Sequence, residues 1–161
     1  MIPKILYHGT SRGRYEVGIK QQGLCGDMPR YMAVDYSHFG YIFLTDSVND
    51  AAFYSLLTLE FDNQIPKFKI INEIVGNQGI ILFINTSNLE DIEPDPERER
   101  MVKFYERWGV LEEVRQMGLC ANWYRVLGHI PTKYIHPYKD VPYNKQHPIF
   151  LKIMKETVKN R

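Results

Sequence analysis

The sequence predicts a single α+β domain in which short strands alternate with helices, and three observations carry this prediction. The chain has 161 residues, which is the length of one compact domain. Its content of 44% hydrophobic and 24% charged residues is typical of globular proteins and not of disordered ones. Segments rich in β-branched, aromatic and aliphatic residues, at 4–7, 41–45 and 79–85, are each followed by a helix cap or a turn.

The first strand, at 4–7, ends at a histidine and a glycine. Thr10 or Ser11 then caps a predicted helix that runs to about Gly23. The segment 25–39 combines turn-forming residues with aromatic ones. It predicts a loop whose length in a small domain is typical of functional loops.

The second strand–helix unit begins at 41–45. Asp46 or Ser47 is a suitable cap for a helix over about 48–60. The stretch 62–78 is ambiguous and predicts a strand near 67–72. The next strand, at 79–85, is apolar nearly throughout, as expected where both faces of a strand are covered.

The C-terminal half predicts further helices and strands. Asp95, Pro96 and Glu97 form a helix start, and the acids from 90 to 99 read as its solvated first turn. The pattern predicts a helical insertion at about 97–118, weakened by Gly109, then a strand at 122–127, an extended segment at 130–135, a connector at 137–148 and a final helix at about 149–159.

Composition excludes several function classes. The formal net charge of +1 disfavours a protein that binds polyanions by charge alone. Cys25 and Cys120 are too few for a disulfide framework or a zinc site and are predicted to be reduced thiols. His129 and His136 have no third ligand nearby, so no metal is expected. With no apolar span and no leader pattern, we expect a cytoplasmic protein without a membrane partner.

Two motifs combine residue types that suit a ligand cleft. Tyr7-His8-Gly9-Thr10 places a histidine at a strand end, beside a glycine that lets a flat ligand approach the backbone. The segment from Gly40 through the strand 41–45 to Tyr54 places an aromatic ring on the following helix, where it could cover a heteroaromatic ligand.

Together these motifs resemble the ADP-ribosyltransferase superfamily, in the branch related to poly(ADP-ribose) polymerases and diphtheria toxin. The resemblance rests on His8-Gly9-Thr10, on the helix end at 19–24 and on the segment 40–54, and it covers residues 4–60. It implies a split β-sandwich with flanking helices whose cleft holds NAD⁺ as substrate. His8 would bind the nicotinamide ribose, the Gly9 backbone the carboxamide, and Tyr54 would stack on the nicotinamide ring.

The same resemblance implies a His-Tyr-Glu triad, of which this chain matches only the first member directly. By spacing the tyrosine position falls at Phe43, with Tyr41 two residues away on the same strand face. The acid position, at the start of a late strand, falls at Asn122, whose amide cannot supply a charge. The nearest acids upstream are Glu113 and Glu112.

A second resemblance is to RNA 2′-phosphotransferases, which share the fold and also use NAD⁺. Its carriers are Tyr7-His8-Gly9-Thr10 and the late segment 130–135, with Arg125 before it as a possible phosphate fork. Because the first strand is predicted at 4–7, we do not expect the N-terminal winged-helix module of those enzymes here.

Three functions therefore stay open. The leading one is an NAD-dependent enzyme that transfers ADP-ribose to a macromolecular acceptor, protein or nucleic acid, and releases nicotinamide. The second is the RNA 2′-phosphotransferase, and the third is a catalytically silent module that binds NAD-like ligands or a partner, which Asn122 motivates. The candidate catalytic residues are His8, Tyr41, Phe43, Asn122 and Glu113, and the candidate NAD contacts are His8, Gly9, Thr10, Thr45, Tyr54 and Arg125.

Overall fold

The fold is mixed α/β, with an antiparallel six-stranded sheet, a second sheet of two strands, and helices packed against them. The computed structural model describes residues 1–26, 40–119 and 121–143. The strands are β1 (Ile5–Ser11), β2 (Leu24–Cys25), β3 (Tyr41–Thr45), β4 (Gln78–Asn85), β5 (Ile92–Pro94), β6 (Trp123–Leu127), β7 (His129–Ile130) and β8 (Ile135–Pro142). The helices are α1 (Arg12–Arg14), α2 (Lys20–Gln22), α3 (Val48–Asp62), α4 (Pro66–Val75), α5 (Glu97–Arg107) and α6 (Leu111–Gln116), with a π-helical segment at Tyr15–Ile19 and a 3₁₀ turn at Thr132–Tyr134.

The larger sheet has the strand order β5-β6-β3-β1-β4-β8 and is not closed into a barrel in the part of the chain described. The pairing is uneven along this order. β1 pairs with β4 over seven residue pairs and β3 pairs with β6 over five. Between the central strands β1 and β3 a single pair is formed, Tyr7 with Thr45. The sheet is therefore two well-paired halves joined at one point.

The two faces of the sheet carry separate cores. Alternate residues of a strand point to opposite faces, so Leu6 and Gly9 face different sides. Leu6 belongs to a core formed with the Tyr15–Ile19 segment and the smaller sheet. On the Gly9 face α3 packs across β1, and its apolar side chains join those of α5 and α6 in a second core.

Gly9 allows α3 to lie this close to the sheet. A Cβ atom at this position would be 1.8 Å from the carbonyl oxygen of Ala51, which is a backbone atom and cannot turn away. Only a residue without a side chain fits between β1 and α3. The glycine of the His-Gly-Thr motif therefore has a packing role, whatever its part in binding.

Four elements differ from the sequence prediction. The first strand does not end at His8 and Gly9, because β1 continues through both residues to Ser11, so that His8 lies within the strand. The strand expected at 67–72 is wrong, because this stretch lies within helix α4, which begins at Pro66 and buries Asn72 against the backbone of Gly13. The helical insertion at 97–118 is two helices, α5 and α6, since Gly109 between them has a φ of 70°. The first part of the expected connector at 137–148 is strand, within β8.

Some predictions fall on positions outside the described residues. They are the loop from 27 to 39, Cys120, the end of the connector from 144 and the final helix at 149–159. Within the described ranges, no helix has both the length and the apolar character required to cross a bilayer.

Candidate functional site

A cavity of about 390 Å³ lies where β1 and β3 separate, beneath α3 and beside the first residue of β6. This volume is within the range of small-molecule binding sites. Its wall includes His8 and Gly9 from β1, Tyr54 from α3, and residues of β3 and of the N-terminal helical region. The cavity therefore lies at the two neighbouring strands of the sheet that share the fewest residue pairs.

His8 bridges the gap between the two central strands. Its Nδ1 lies 2.8 Å from the carbonyl oxygen of Phe43. A carbonyl oxygen only accepts hydrogen bonds, so Nδ1 carries the proton and donates. In the neutral ring Nε2 is then a hydrogen-bond acceptor. The β3 backbone therefore fixes both the orientation and the tautomer of this imidazole.

One face of α3 forms part of the cavity wall. The residues that contribute from this helix are Ala51, Tyr54, Leu57 and Thr58. They are spaced three, three and one positions apart, which places them on one side of a helix. Ser47 caps this helix by accepting a hydrogen bond from the Asp50 N–H at 3.2 Å, so the chain after β3 enters α3 at a defined angle.

Tyr54 and Trp123 form an aromatic corner in the wall. Their ring centroids are 5.5 Å apart and the rings are inclined by 78°, in an edge-to-face arrangement. The orientation of the Trp123 ring is fixed, because its indole N–H donates a hydrogen bond of 2.9 Å to the carboxylate of buried Asp50. The same carboxylate oxygen accepts from the backbone N–H of Ala121 at 3.1 Å and from the Thr45 hydroxyl at 3.3 Å.

The remaining β3 candidates also reach the cavity. Tyr41, Phe43 and Thr45 all contribute to its wall, as do the two residues between them, so the whole of β3 borders the cavity. The Arg125 guanidinium lies 4.0 Å from the centroid of the Tyr41 ring, which orients that ring. Thr45 is committed to the Asp50 network and also accepts a hydrogen bond from the Ser47 N–H at 3.1 Å.

Two acids that the sequence analysis assigned to a solvated helix start lie in the cavity wall instead. Asp95 is 5% exposed and Glu97 is 7% exposed. The Asp95 N–H donates to the Trp123 carbonyl oxygen at 2.9 Å, which attaches this segment to β6. The Asp95 carboxylate accepts the Glu97 N–H at 2.9 Å and so starts α5. The prediction of a solvated helix start is therefore wrong for Asp95 and Glu97, which are buried.

A buried cation contributes to the wall elsewhere. Arg14 is 7% exposed and forms a bidentate pair with Asp62, which is fully buried, at 2.8–3.1 Å. The Ser11 hydroxyl donates to the same carboxylate at 2.7 Å, and the Arg14 guanidinium lies 5.4 Å from the centroid of the Phe68 ring. The cluster anchors the end of β1 to the last residue of α3.

Three predicted site residues are absent from the described cavity wall. Both the backbone N–H and the side-chain amide of Asn122 donate to Asp46, at 3.1 and 3.0 Å, which closes the start of β6 onto the turn after β3. Glu113 is exposed on α6. Arg125 is paired with Glu93 at 2.7 Å, on the strand next to β6. Their surroundings explain each of them as a structural or surface group.

The charge of Asp46 also acts on a neighbour in β6. Burial, together with this charge, raises the pKa of the Tyr124 phenol above its ordinary value. Among the residues that the structure describes, no three His, Cys, Asp or Glu side chains are grouped so as to hold a metal ion.

The cavity thus brings together seven of the predicted residues, namely His8, Gly9, Thr10, Tyr41, Phe43, Thr45 and Tyr54. Five further residues line the same space and were not predicted from the sequence, namely Arg14, Asp95, Glu97, Met101 and Trp123. The sequence contains a signal for two of these residues. Glu97 and Met101 are four positions apart on one helix, which places both on the same face.

Comparison with known proteins gives little. No protein-family model matches the chain, and no curated protein matches it. The solved structure of EcPltA is similar over 90% of this chain and 88% of its own, with 13% identity and a TM-score of 0.37. A likeness this weak carries no argument about fold or function.

Proposed function

We propose that the cavity binds the nicotinamide end of NAD⁺ and that the protein transfers ADP-ribose from it to a macromolecular acceptor, releasing nicotinamide. The observation that supports this most is that His8 and Tyr54, 46 positions apart in the chain, both line one cavity. The single residue pair between β1 and β3 is compatible with an ADP-ribosyltransferase-like split sandwich.

The proposed binding mode uses the groups as the structure orients them. His8 Nε2 accepts a hydrogen bond from a hydroxyl of the nicotinamide ribose, because Nδ1 is committed to Phe43. The backbone at Gly9 binds the carboxamide. The nicotinamide ring stacks on the Tyr54 ring, which Trp123 supports from the side. Tyr41 and Phe43 close the β3 side of the space.

The reaction breaks the bond between the ribose C1′ and the nicotinamide nitrogen. The bonding electrons leave with nicotinamide, positive charge develops on the sugar, and the acceptor nucleophile then forms a bond to C1′ and gives up its proton. A nearby carboxylate stabilises that charge electrostatically. We assign this role to Asp95 and Glu97, which line the cavity, in place of Asn122 and Glu113, which do not.

The other two functions have less support. The phosphotransferase hypothesis needs Arg125 for a phosphate, yet its guanidinium is paired with Glu93 and lies over Tyr41. The silent-module hypothesis was based on Asn122, whose amide cannot replace a catalytic carboxylate. Because Asp95 and Glu97 line the cavity, carboxylates are present in its wall without this position.

The test is nicotinamide release from NAD⁺ carrying a label in its ADP-ribose part, in the presence of a cell lysate as source of acceptors. We expect the wild type to release nicotinamide and to label macromolecules. His8→Ala should lower the rate of release at least tenfold, because a ribose contact of this kind is worth about 1.4 kcal/mol or more.

The matched control is His136→Ala on β8, where an exposed histidine lies outside the described wall of the cavity. This variant should retain the wild-type rate. If neither the wild type nor the control releases nicotinamide, the proposed transfer of ADP-ribose is refuted. NAD⁺-dependent removal of a 2′-phosphate from RNA would instead favour the phosphotransferase.

A further inference from the structure

The charged side chains in the described wall of the cavity lie at opposite ends of α3. Asp50, near the start of this helix, holds Trp123, to whose backbone Asp95 is bonded. Asp62, the last residue of α3, holds Arg14. The two anchor points are twelve residues apart, or about 18 Å along the helix axis. The cavity is therefore electrically asymmetric.

Asp95 is attached to Trp123 of the aromatic corner through its backbone N–H, and Glu97 follows it by two residues in the same wall. In the described wall Asp95 and Glu97 are the only acidic side chains, and Arg14 is the only lysine or arginine. Glu97 also forms a loose ion pair with Arg100, whose Nη1 lies 3.8 Å from its Oε1. A carboxylate in a wall that excludes water attracts a positive charge in the adjoining space more strongly than it would in bulk water.

The aromatic corner favours a cation for an independent reason. The faces of Tyr54 and Trp123 carry the negative part of the ring quadrupole, and a positive charge over such a face is attracted, most strongly where water is excluded. Carboxylates and ring faces thus act in the same direction. A neutral ring of the same shape would gain the stacking but not the charge term.

We propose that Asp95 and Glu97 make this cavity selective for a cationic ring, so that it binds the oxidised dinucleotide, with its positively charged pyridinium, in preference to the reduced one. This inference rests on the proposed function, since it concerns the ring that Tyr54 would contact. It assigns to the two acids a role in ligand choice that precedes any bond breaking.

The test measures binding only, by calorimetry with NAD⁺ and with NADH, and needs no turnover. The wild type should bind NAD⁺ about tenfold more tightly than NADH, which corresponds to about 1.4 kcal/mol. Glu97→Gln keeps the size and hydrogen-bonding capacity of the side chain but removes its charge. This variant should bind NAD⁺ more weakly than the wild type does, while its Kd for NADH stays within about twofold of the wild-type value. The ratio of the two dissociation constants should therefore move closer to one.

The matched control is Glu99→Gln, which makes the same change in the same helical turn on an exposed side chain. It should preserve the wild-type preference. Asp95→Asn is the second variant, because its side-chain oxygen can still accept the Glu97 N–H. A cooperative thermal transition shows whether each variant is folded. If Glu97→Gln is not folded, the same binding measurement is made with Asp95→Asn.

The outcomes separate the two proposals. If the wild type binds neither dinucleotide, the proposed function fails and this inference with it. If it binds both equally, or prefers NADH, the cavity is a dinucleotide site and only the inference about charge is overturned. Retention of the full preference by each folded variant of Glu97 and Asp95 overturns it as well.

Discussion

At the scale of single residues, the buried ion pair of Arg14 and Asp62 is the contact most sensitive to the loss of one partner among those described above. Asp62 is fully buried, and the guanidinium and the Ser11 hydroxyl both donate to it. Such a pair gains little net stability over an apolar substitute, but removal of one partner leaves an unpaired charge out of water. The pair therefore makes the position of β1 relative to α3 intolerant of change.

We predict that Asp62→Ala lowers the free energy of unfolding by about 3–5 kcal/mol. Equilibrium unfolding in urea measures this change. Glu73→Ala, on the exposed surface of α4, removes the same charge and should change the stability by less than about 0.5 kcal/mol. A loss below about 1 kcal/mol for Asp62→Ala would mean that Arg14 finds water or another acceptor when its partner is removed.

At the scale of elements, the contact between β1 and α3 decides the shape of the cavity. α3 lies against the sheet at Gly9 and turns Ala51, Tyr54 and Thr58 into the space where β1 and β3 separate. Any side chain at position 9 would push the helix and the strand apart. A packing defect here would reach the ligand site directly.

Gly9→Ala should therefore be destabilising by about 1–3 kcal/mol or more, the cost of overpacking against a backbone atom. Thermal unfolding followed by circular dichroism provides the measurement. Gly18→Ala is the matched control, since a Cβ there would meet nothing within 4 Å. Equal transition temperatures for the two variants would show that α3 can shift away from β1 at little cost.

The elements also show how far the sequence could predict this structure. β1, β3 and β4 and the helix after β3 were predictable, because their β-rich residues and caps are local signals. The stretch 67–72 was not, since its alternating lysines suit a strand while Asn72 is buried by a long-range contact with Gly13. Local patterns do not contain such contacts.

The same distinction applies to the candidate site. His8 and Tyr54 were identifiable because they belong to short motifs with a fixed place on a strand and a helix. The burial of Asp95 and Glu97 depends on a backbone hydrogen bond to Trp123, which follows them by more than twenty residues. In sequence these acids resemble any charged helix start, so only the tertiary structure distinguishes them.

At the scale of the whole molecule, the cavity lies between the two cores. Its wall takes Ile19 and Leu24 from the core around the Tyr15–Ile19 segment, and Met101 and Trp123 from the core around α5. The wall also takes His8 from β1 and Phe43 from β3, which belong to the two halves of the sheet that meet in a single residue pair. A ligand in the cavity would therefore contact both halves and oppose their separation.

We predict that saturating NAD⁺ slows amide hydrogen exchange on both sides of the sheet together. At a ligand concentration of 100 times Kd, binding stabilises the folded state by about 2.7 kcal/mol. Slower exchange is expected in the Tyr15–Ile19 segment and in α5, whereas α6, which contributes nothing to the described wall, serves as the local reference. Exchange measured by mass spectrometry, with and without NAD⁺, resolves these segments. Protection confined to one of these two segments would place the ligand against one core only, and the prediction that a bound dinucleotide contacts both cores would then be wrong.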